Sequence, residues 1–283
     1  MKQPELTKEH LFDYDTNRFH FAQLIYDILL GDYEGPALPL EQLHTMGKPS
    51  HVLTFSNDQN LYFHHKYYNS PKLPRVLKVY RDFIKTVIAP QFVDSHLVVQ
   101  AKPTFRIHLP NNTAIPADIG GDPTRPGLHC DADYNHPDVE INFWVPFTQC
   151  YPSNTLHLES QPGKRDFRPM VLSNGQVLRF WGARCLHHNK MNAQGPTRVS
   201  FDFRVMNKSD WDTLDPTWLK QMATVQHKLK LTLGDYYMLY NKSTQQFSHC
   251  ETVDGHNTMA AHPTLGDYFS AMANTPELAQ IKQ

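Results

Sequence analysis

Residues 198–205 read Arg198-Val199-Ser200-Phe201-Asp202-Phe203-Arg204-Val205. Every second residue is apolar, and the residues between are Arg, Ser, Asp and Arg. Side chains of an extended chain point alternately to the two faces, so this stretch is a strand with an apolar face and a strongly polar one. The same alternation recurs upstream. Thr104-Phe105-Arg106-Ile107-His108-Leu109 alternates apolar residues with Thr, Arg and His. In Glu140-Ile141-Asn142-Phe143-Trp144-Val145, Ile141, Phe143 and Val145 share one face while Glu140, Asn142 and Trp144 share the other. Thr155 to Glu159 and Val177 to Trp181 repeat the scheme. Short strands separated by Pro, Gly and Asn turns predict a sandwich or barrel.

Towards the N-terminus the period changes from two to 3.6. Between Asn17 and Leu30, Phe19, Phe21, Leu24, Ile25, Ile28 and Leu29 follow helical spacing up to Gly31. A second stripe, Leu73, Val76, Leu77, Tyr80, Phe83, Ile84, Val87 and Ile88, steps by three or four until Pro90 stops it. Amphipathic helices need an apolar surface to cover. The expected architecture is therefore mainly β with flanking α. It is a double-stranded β-helix, the jelly roll of cupin-like proteins, with its apolar outer face under the N-terminal helices and its polar inner face lining a pocket. The chain divides as one domain, 1–283: helical support over 1–95, a jelly-roll core over 96–206, and a helical, loop-rich extension over 207–283. In that extension Thr232-Leu233-Gly234-Asp235-Tyr236 is echoed by Thr264-Leu265-Gly266-Asp267-Tyr268, which reads as two similar turns.

Composition narrows the function. The 283 residues include 27 Lys and Arg against 28 Asp and Glu, a formal charge of −1 with His neutral. That balance argues against a nucleic-acid binder, which must neutralise phosphates. No apolar stretch approaches the ~20 residues of a membrane span. The opening MKQPELTKEHLFDYD has no apolar core and does not read as a signal peptide. Four cysteines, Cys130, Cys150, Cys185 and Cys250, form no CxxC pair, so a reduced, cytoplasmic protein is expected. The unusual count is 17 histidines, whose placement has to decide what they do.

Leu128-His129-Cys130-Asp131 places an imidazole and a carboxylate two residues apart, on one side of an extended backbone. A third ligand can come from His187 or His188, after the strand ending at Trp181. Two His and one Asp on one face of a metal leave three positions open, an arrangement suited to Fe(II) and oxygen. The open positions can take a bidentate 2-oxo acid and O2. The far carboxylate of that acid needs a cation, and Arg198 can grip it in a fork, with Ser200 donating from the same strand face.

This ordered set, HxD, a distal His and then Arg-x-Ser, resembles the Fe(II)/2-oxoglutarate-dependent oxygenase superfamily. Asn192, five residues after His187, makes it similar to the phytanoyl-CoA hydroxylase-like branch and favours His187 over the alternative His188. The runs FRIHLPNN, HCDADYNHPDVEINFWVPFT, LRFWGARCLHHN and TRVSFDFRV, between Thr104 and Val205, resemble the StrG-like group of streptomycin biosynthesis clusters. The resemblance implies Fe(II) held by His129, Asp131 and His187, with 2-oxoglutarate as co-substrate held by Arg198 and Ser200, and O2 as oxidant. In related halogenases Gly or Ala replaces the carboxylate. Asp131 retains it, which implies hydroxylation or a related oxidation, with desaturation, ring closure and epimerisation open to the same triad. The implied substrate is a small polar metabolite of specialised metabolism, such as an amino sugar or an amino-acid derivative.

Further candidates for substrate contact are Arg106, His108, Asp133, Tyr134, Asn142, Trp144 and Arg204. Each has a plainer reading. Arg106 and His108 can face solvent, and Arg204 can pair with Asp202. Asp133 is a rival to Asp131 whose i+4 offset from His129 suits a strand less well. Arg184 reads as a rim or surface residue, and His64-His65 as structural. Two other functions fit the same fold: a cupin-like isomerase or dioxygenase without co-substrate, in which Arg198 has no required role, and a non-catalytic jelly-roll binding protein.

Overall fold

The structure is a computed structural model that describes residues 5–46, 56–113, 127–224 and 231–249. Its strands are β1 (His10–Asp13), β2 (His96–Gln100), β3 (Thr104–His108), β4 (Ile141–Pro146), β5 (Leu156–Leu158), β6 (Arg168–Pro169), β7 (Gln176–Phe180), β8 (His187–Asn189), β9 (Arg198–Asn207), β10 (Tyr237–Asn241) and β11 (Gln246–Ser248). The helices are α1 (Phe21–Leu29), α2 (Ser56–Tyr68), α3 (Leu73–Phe83), α4 (Lys208–Trp211) and α5 (Pro216–Thr224). No helix among the described residues is long and apolar enough to cross a membrane.

Two antiparallel sheets form the jelly roll. The larger runs β1-β7-β4-β9-β2-β10-β11, and the smaller runs β6-β5-β8. The organising strand is β9. Its first half pairs with β3, Arg198 opposite His108 and Asp202 opposite Thr104, and its second half with β2, Val205 opposite Val99. Along its other edge lies β4, with Asn142 opposite Arg204 and Trp144 opposite Asp202. This register stacks the odd-numbered apolar residues of β3, β4 and β9 on the outer face. Phe105, Ile107, Phe143, Val145, Phe201, Phe203 and Val205 are all buried there in one cluster with α1 and α3. Phe21 meets Phe201 edge to face at 5.0 Å, and Tyr80 meets Phe203 at 5.1 Å. Buried aromatic area of this kind supplies most of the drive that holds helices to sheet. Because the outer face is sealed, the alternate residues Arg106, Asn142, Trp144, Asp202 and Arg204 turn inward and line one cavity.

The expected strands and both helical stripes are present. The second stripe ends differently from a plain helix: Ile84–Ile88 forms one wider π-type turn before Pro90. Three features carried no periodic signal. β1 pairs with β7 although its side chains are largely exposed. α2 lies over β3, where Tyr67 stacks on Phe105 at 4.5 Å and Tyr68 Oη accepts from the Phe105 amide. The extension expected to be helical also contributes sheet. After α4 and α5 the chain turns through Thr232 to Tyr236, with Gly234 at φ +92°, and enters β10, which pairs with β2. The second copy of that turn sequence, from Thr264, lies outside the described residues, as does Cys250.

Candidate metal centre

His129 pairs with His187 across an isolated bridge in which each amide donates to the other's carbonyl, at 3.1 and 2.8 Å. Asp131 follows at the start of a short 3-10 turn, Asp131–Tyr134, whose amide donates to Gly182 O at 2.8 Å. These backbone contacts bring the three side chains together. One ligand atom from each of His129, Asp131 and His187 lies within 4.8 Å of the others, making a group able to hold a metal ion. His129 Nε2 and His187 Nε2 stand 3.7 and 3.6 Å from the same atom, Asp131 Oδ1, too far for direct hydrogen bonds.

Both imidazoles are oriented from behind. His129 Nδ1 is hydrogen-bonded to Gly127 O, and His187 Nδ1 lies 2.9 Å from Cys185 O. A carbonyl only accepts, so in neutral imidazoles each Nδ1 carries the proton and each Nε2 presents a lone pair. Burial, and next the neighbouring His187, push the His129 pKa down to about 4, which keeps its Nε2 unprotonated at neutral pH. Three electron-rich atoms therefore converge in a buried space, an arrangement that a cation relieves. Two imidazoles and one carboxylate oxygen suit a first-row divalent ion, and the Nδ1 contacts are the outer support such ligands usually have.

The second carboxylate oxygen is occupied. Asp131 Oδ2 accepts from Asn142 Nδ2 at 2.6 Å and from Arg204 Nε at 2.9 Å, and Arg204 Nη2 stands 2.8 Å from it. Burial opposes the charge on Asp131, but Arg204 first, then His187 and His136, outweigh it and hold the carboxyl well below the usual range. Arg204 is itself fixed on its far side, where Nη1 donates to Asp202 Oδ2 at 3.0 Å, Gln100 Oε1 at 3.2 Å and Tyr236 Oη at 3.2 Å.

Lining the same cavity, Arg198 is 2 % exposed. Its Nε donates to Asn154 O at 2.9 Å, Nη1 to Ser200 Oγ at 2.6 Å and Nη2 to Asn189 Oδ1 at 3.2 Å, and its guanidinium lies 5.6 Å from the Trp144 ring centre. Among the described residues no carboxylate pairs with it. Burial without a counter-ion lowers its pKa to about 10. A buried cation of this kind is costly unless an anion joins it.

The other candidates separate. His188 turns away from the triad, its ring 5.1 Å from His157 and 5.2 Å from Phe167, and contributes nothing to the ligand group. Tyr134 is 46 % exposed and sets its ring edge-on to His129 at 4.9 Å, beside the centre. Arg106 lines the cavity with Nε tied to Asp202 Oδ1 at 2.8 Å. Trp144 reaches inward to donate to Ser200 Oγ at 3.1 Å. Four candidates are engaged by other groups of the protein. His108 is fully buried between Asn112 O, just after β3, and Asn154 O, just before β5. Asp133 accepts from the Cys130 amide as a turn cap. Asn142 and Arg204 line the cavity, where Asn142 Nδ2 and Arg204 Nε donate to Asp131 Oδ2. Asn189, which orients Arg198, was missed by the sequence reading. Its signal was present, since it stands two residues after His187 and shares its face.

No family profile matches the chain. Over 220 residues it is 28% identical to the streptomycin biosynthesis protein StrG of Streptomyces griseus, covering 77% of this chain and 97% of that protein. The chain resembles StrG. The stretch shared with StrG is longer than the jelly-roll core, so the likeness reaches into the flanking elements. Among solved structures, a non-heme monooxygenase, the ThoJ–nickel complex, gives a TM-score of 0.43 at 13% identity over 93% of this chain and 91% of that one. CytC3 with Fe(II) and alpha-ketoglutarate gives 0.35 at 13% identity over 73% and 77%. At such identities the centre has to be read from its own geometry.

Proposed function

We propose that the protein is a cytoplasmic Fe(II)- and 2-oxoglutarate-dependent oxygenase. It hydroxylates, or otherwise oxidises, a C–H bond of a small polar metabolite, and the likeness to StrG supports a place in natural-product metabolism. One observation carries the reading: a single cavity is lined both by three ligand atoms that converge on one another and by a buried guanidinium that, among the described residues, pairs with no carboxylate. His129, Asp131 and His187 would hold the iron, which with its co-substrate supplies the oxidising power.

The chain's own residues do the rest. Arg198 binds the far carboxylate of the co-substrate, with its fork pre-aimed by Asn154 O and Asn189. Ser200 Oγ already accepts from Arg198 and Trp144, so its own proton is left to donate to that carboxylate. Leu156 and Phe180 line the same cavity and exclude water from it. Arg106, one-third exposed, has its Nε held by Asp202 and its outer nitrogens available for a polar group of the substrate. A cupin-like enzyme without co-substrate would leave Arg198 buried and unpaired, and for that reason the co-substrate reading is preferred.

The test is to assay the Fe(II)-loaded protein with 2-oxoglutarate over amino sugars and amino-acid derivatives. Succinate formed only with Fe(II), together with a product one oxygen heavier, is expected. An Fe(II)-loaded protein that does not bind 2-oxoglutarate contradicts the proposal.

A further inference from the structure

The two oxygens of Asp131 live in different surroundings. Among the described residues, the groups paired with Oδ1 are the two histidine Nε2 atoms, while Oδ2 accepts from Asn142 Nδ2 at 2.6 Å and Arg204 Nε at 2.9 Å, with Arg204 Nη2 2.8 Å away. A carboxylate oxygen offers two lone pairs, so these two donors saturate Oδ2. The clamp is also rigid. Arg204 is 6 % exposed and is pinned at its other end by Asp202, Gln100 and Tyr236, and Gln100 is held in turn by Lys102 O at 2.7 Å and Thr104 Oγ1 at 3.0 Å. Asn142 is 2 % exposed and packed so closely on Gly182 that a Cβ there would lie 2.6 Å from its amide. Arg204 cannot swing aside without breaking these bonds, and the buried Asn142 is hemmed in at Gly182.

We infer that Arg204, seconded by Asn142, is a positioning residue that compels Asp131 to bind the metal through one oxygen only. For Oδ2 to chelate as well, it would have to shed its donors and draw a divalent cation towards a buried guanidinium. One-oxygen binding keeps three of six positions open, the number required by a two-pronged 2-oxo acid plus O2, whereas chelation would fill one of them. The inference rests on the metal-centre reading above and assigns Arg204 a role distinct from binding substrate. It also gives the C-terminal segment a function, since Tyr236, at the entry to β10, is one of the groups holding Arg204 in place.

The test uses Co(II) as the probe ion, on protein carrying 13C-carboxyl aspartate, and reads two quantities without turnover: the Co(II) affinity, and the splitting between the two carboxylate stretches in the infrared difference between Co(II)-loaded and metal-free protein. One-oxygen binding gives a wide splitting and chelation a narrow one. Wild type should show the wide splitting. Arg204→Met, folded by circular dichroism, should show the narrow one and bind Co(II) about tenfold more weakly or worse, as loss of an outer support usually does. Arg204→Lys, which restores the charge without the fork, should lie between. Wild-type splitting and wild-type affinity in Arg204→Met overturn the inference. Should the Arg204 variants not fold, Asn142→Ala decides: a narrowed splitting with affinity about threefold weaker or more supports the clamp, and no change in either overturns it. A wild type that does not bind Co(II) at all would instead remove the metal centre itself.

Discussion

Arg204 and Asp131, on β9 and in the turn after His129, meet through a single oxygen: both Arg204 Nε and Nη2 approach Asp131 Oδ2, leaving Oδ1 to the two histidines. The polar face of the jelly roll is thus divided between residues that hold other protein groups and residues left with unused donors or lone pairs. Function follows from the second set, and the following expectations test it.

His187 and His188 are neighbours with opposite fates. His187 shares Asp131 Oδ1 with His129, while His188 packs on His157 and Phe167. His187→Ala should lose high-affinity divalent metal binding, and His188→Ala should retain it within about threefold, far from the 10–100-fold loss expected of a ligand's own support. Calorimetric titration with Co(II) distinguishes them, and the reverse pattern would exchange their roles.

Asp131→Ala should abolish Fe(II)-dependent turnover and, at the same time, strand the buried Arg204 with one acid fewer. A thermal melt should therefore show a loss of stability even without metal, of the kind that follows when one partner of a buried ion pair is removed. Retained turnover would take Asp131 off the metal.

Arg198→Met should raise the KM for 2-oxoglutarate at least tenfold while leaving Co(II) affinity close to wild type, because the hydrogen bonds of Arg198 go to Asn154, Ser200 and Asn189 and to none of the three ligands. A lost bidentate contact to a carboxylate of about 1.5–3 kcal/mol corresponds to that factor or more. Unchanged KM would place the co-substrate carboxylate elsewhere.

How much of this was legible in sequence depends on the range of the forces involved. Alternation along β3, β4 and β9 and the stripes of α1 and α3 are local patterns, and they fixed the jelly roll and its covered face. HxD and Arg-x-Ser are also local, and they pointed to the centre. The pairing of Arg204 with Asp202 was legible from their spacing, but its bond to Asp131 was not, because Asp131 is 73 residues away. β1, with its exposed Leu11, and the aromatic run of α2 have no clear period, so only tertiary pairing reveals them.

The apolar seam makes its own prediction. Phe203 is fully buried, stacked on Phe143 at 5.3 Å and edge-on to Tyr80 at 5.1 Å. Phe203→Ala should cost about 3–5 kcal/mol of folding stability. A urea midpoint shifted by much less would mean that the helices do not depend on this face.

His108 should contribute to acid sensitivity, beside the buried His129 and His157, whose pKa burial also lowers to about 4. Burial, and next the charge of Arg198, push the His108 pKa down to about 3. The unfolded chain, with its histidine near 6.5, binds more protons in between. The contribution of His108 to folding stability is therefore full above about pH 6.5 and is lost progressively as pH falls towards 3. His108→Gln should flatten the change in urea midpoint between pH 7.5 and 5. An unaltered slope would assign the acid sensitivity to other groups.

The most direct measurement is an anaerobic titration of the purified protein with Fe(II) and then 2-oxoglutarate, followed by visible absorption. The account predicts a metal-to-ligand charge-transfer band that saturates at one equivalent of each and is missing in His187→Ala. No such band in wild type, with both components bound or with neither, would contradict it.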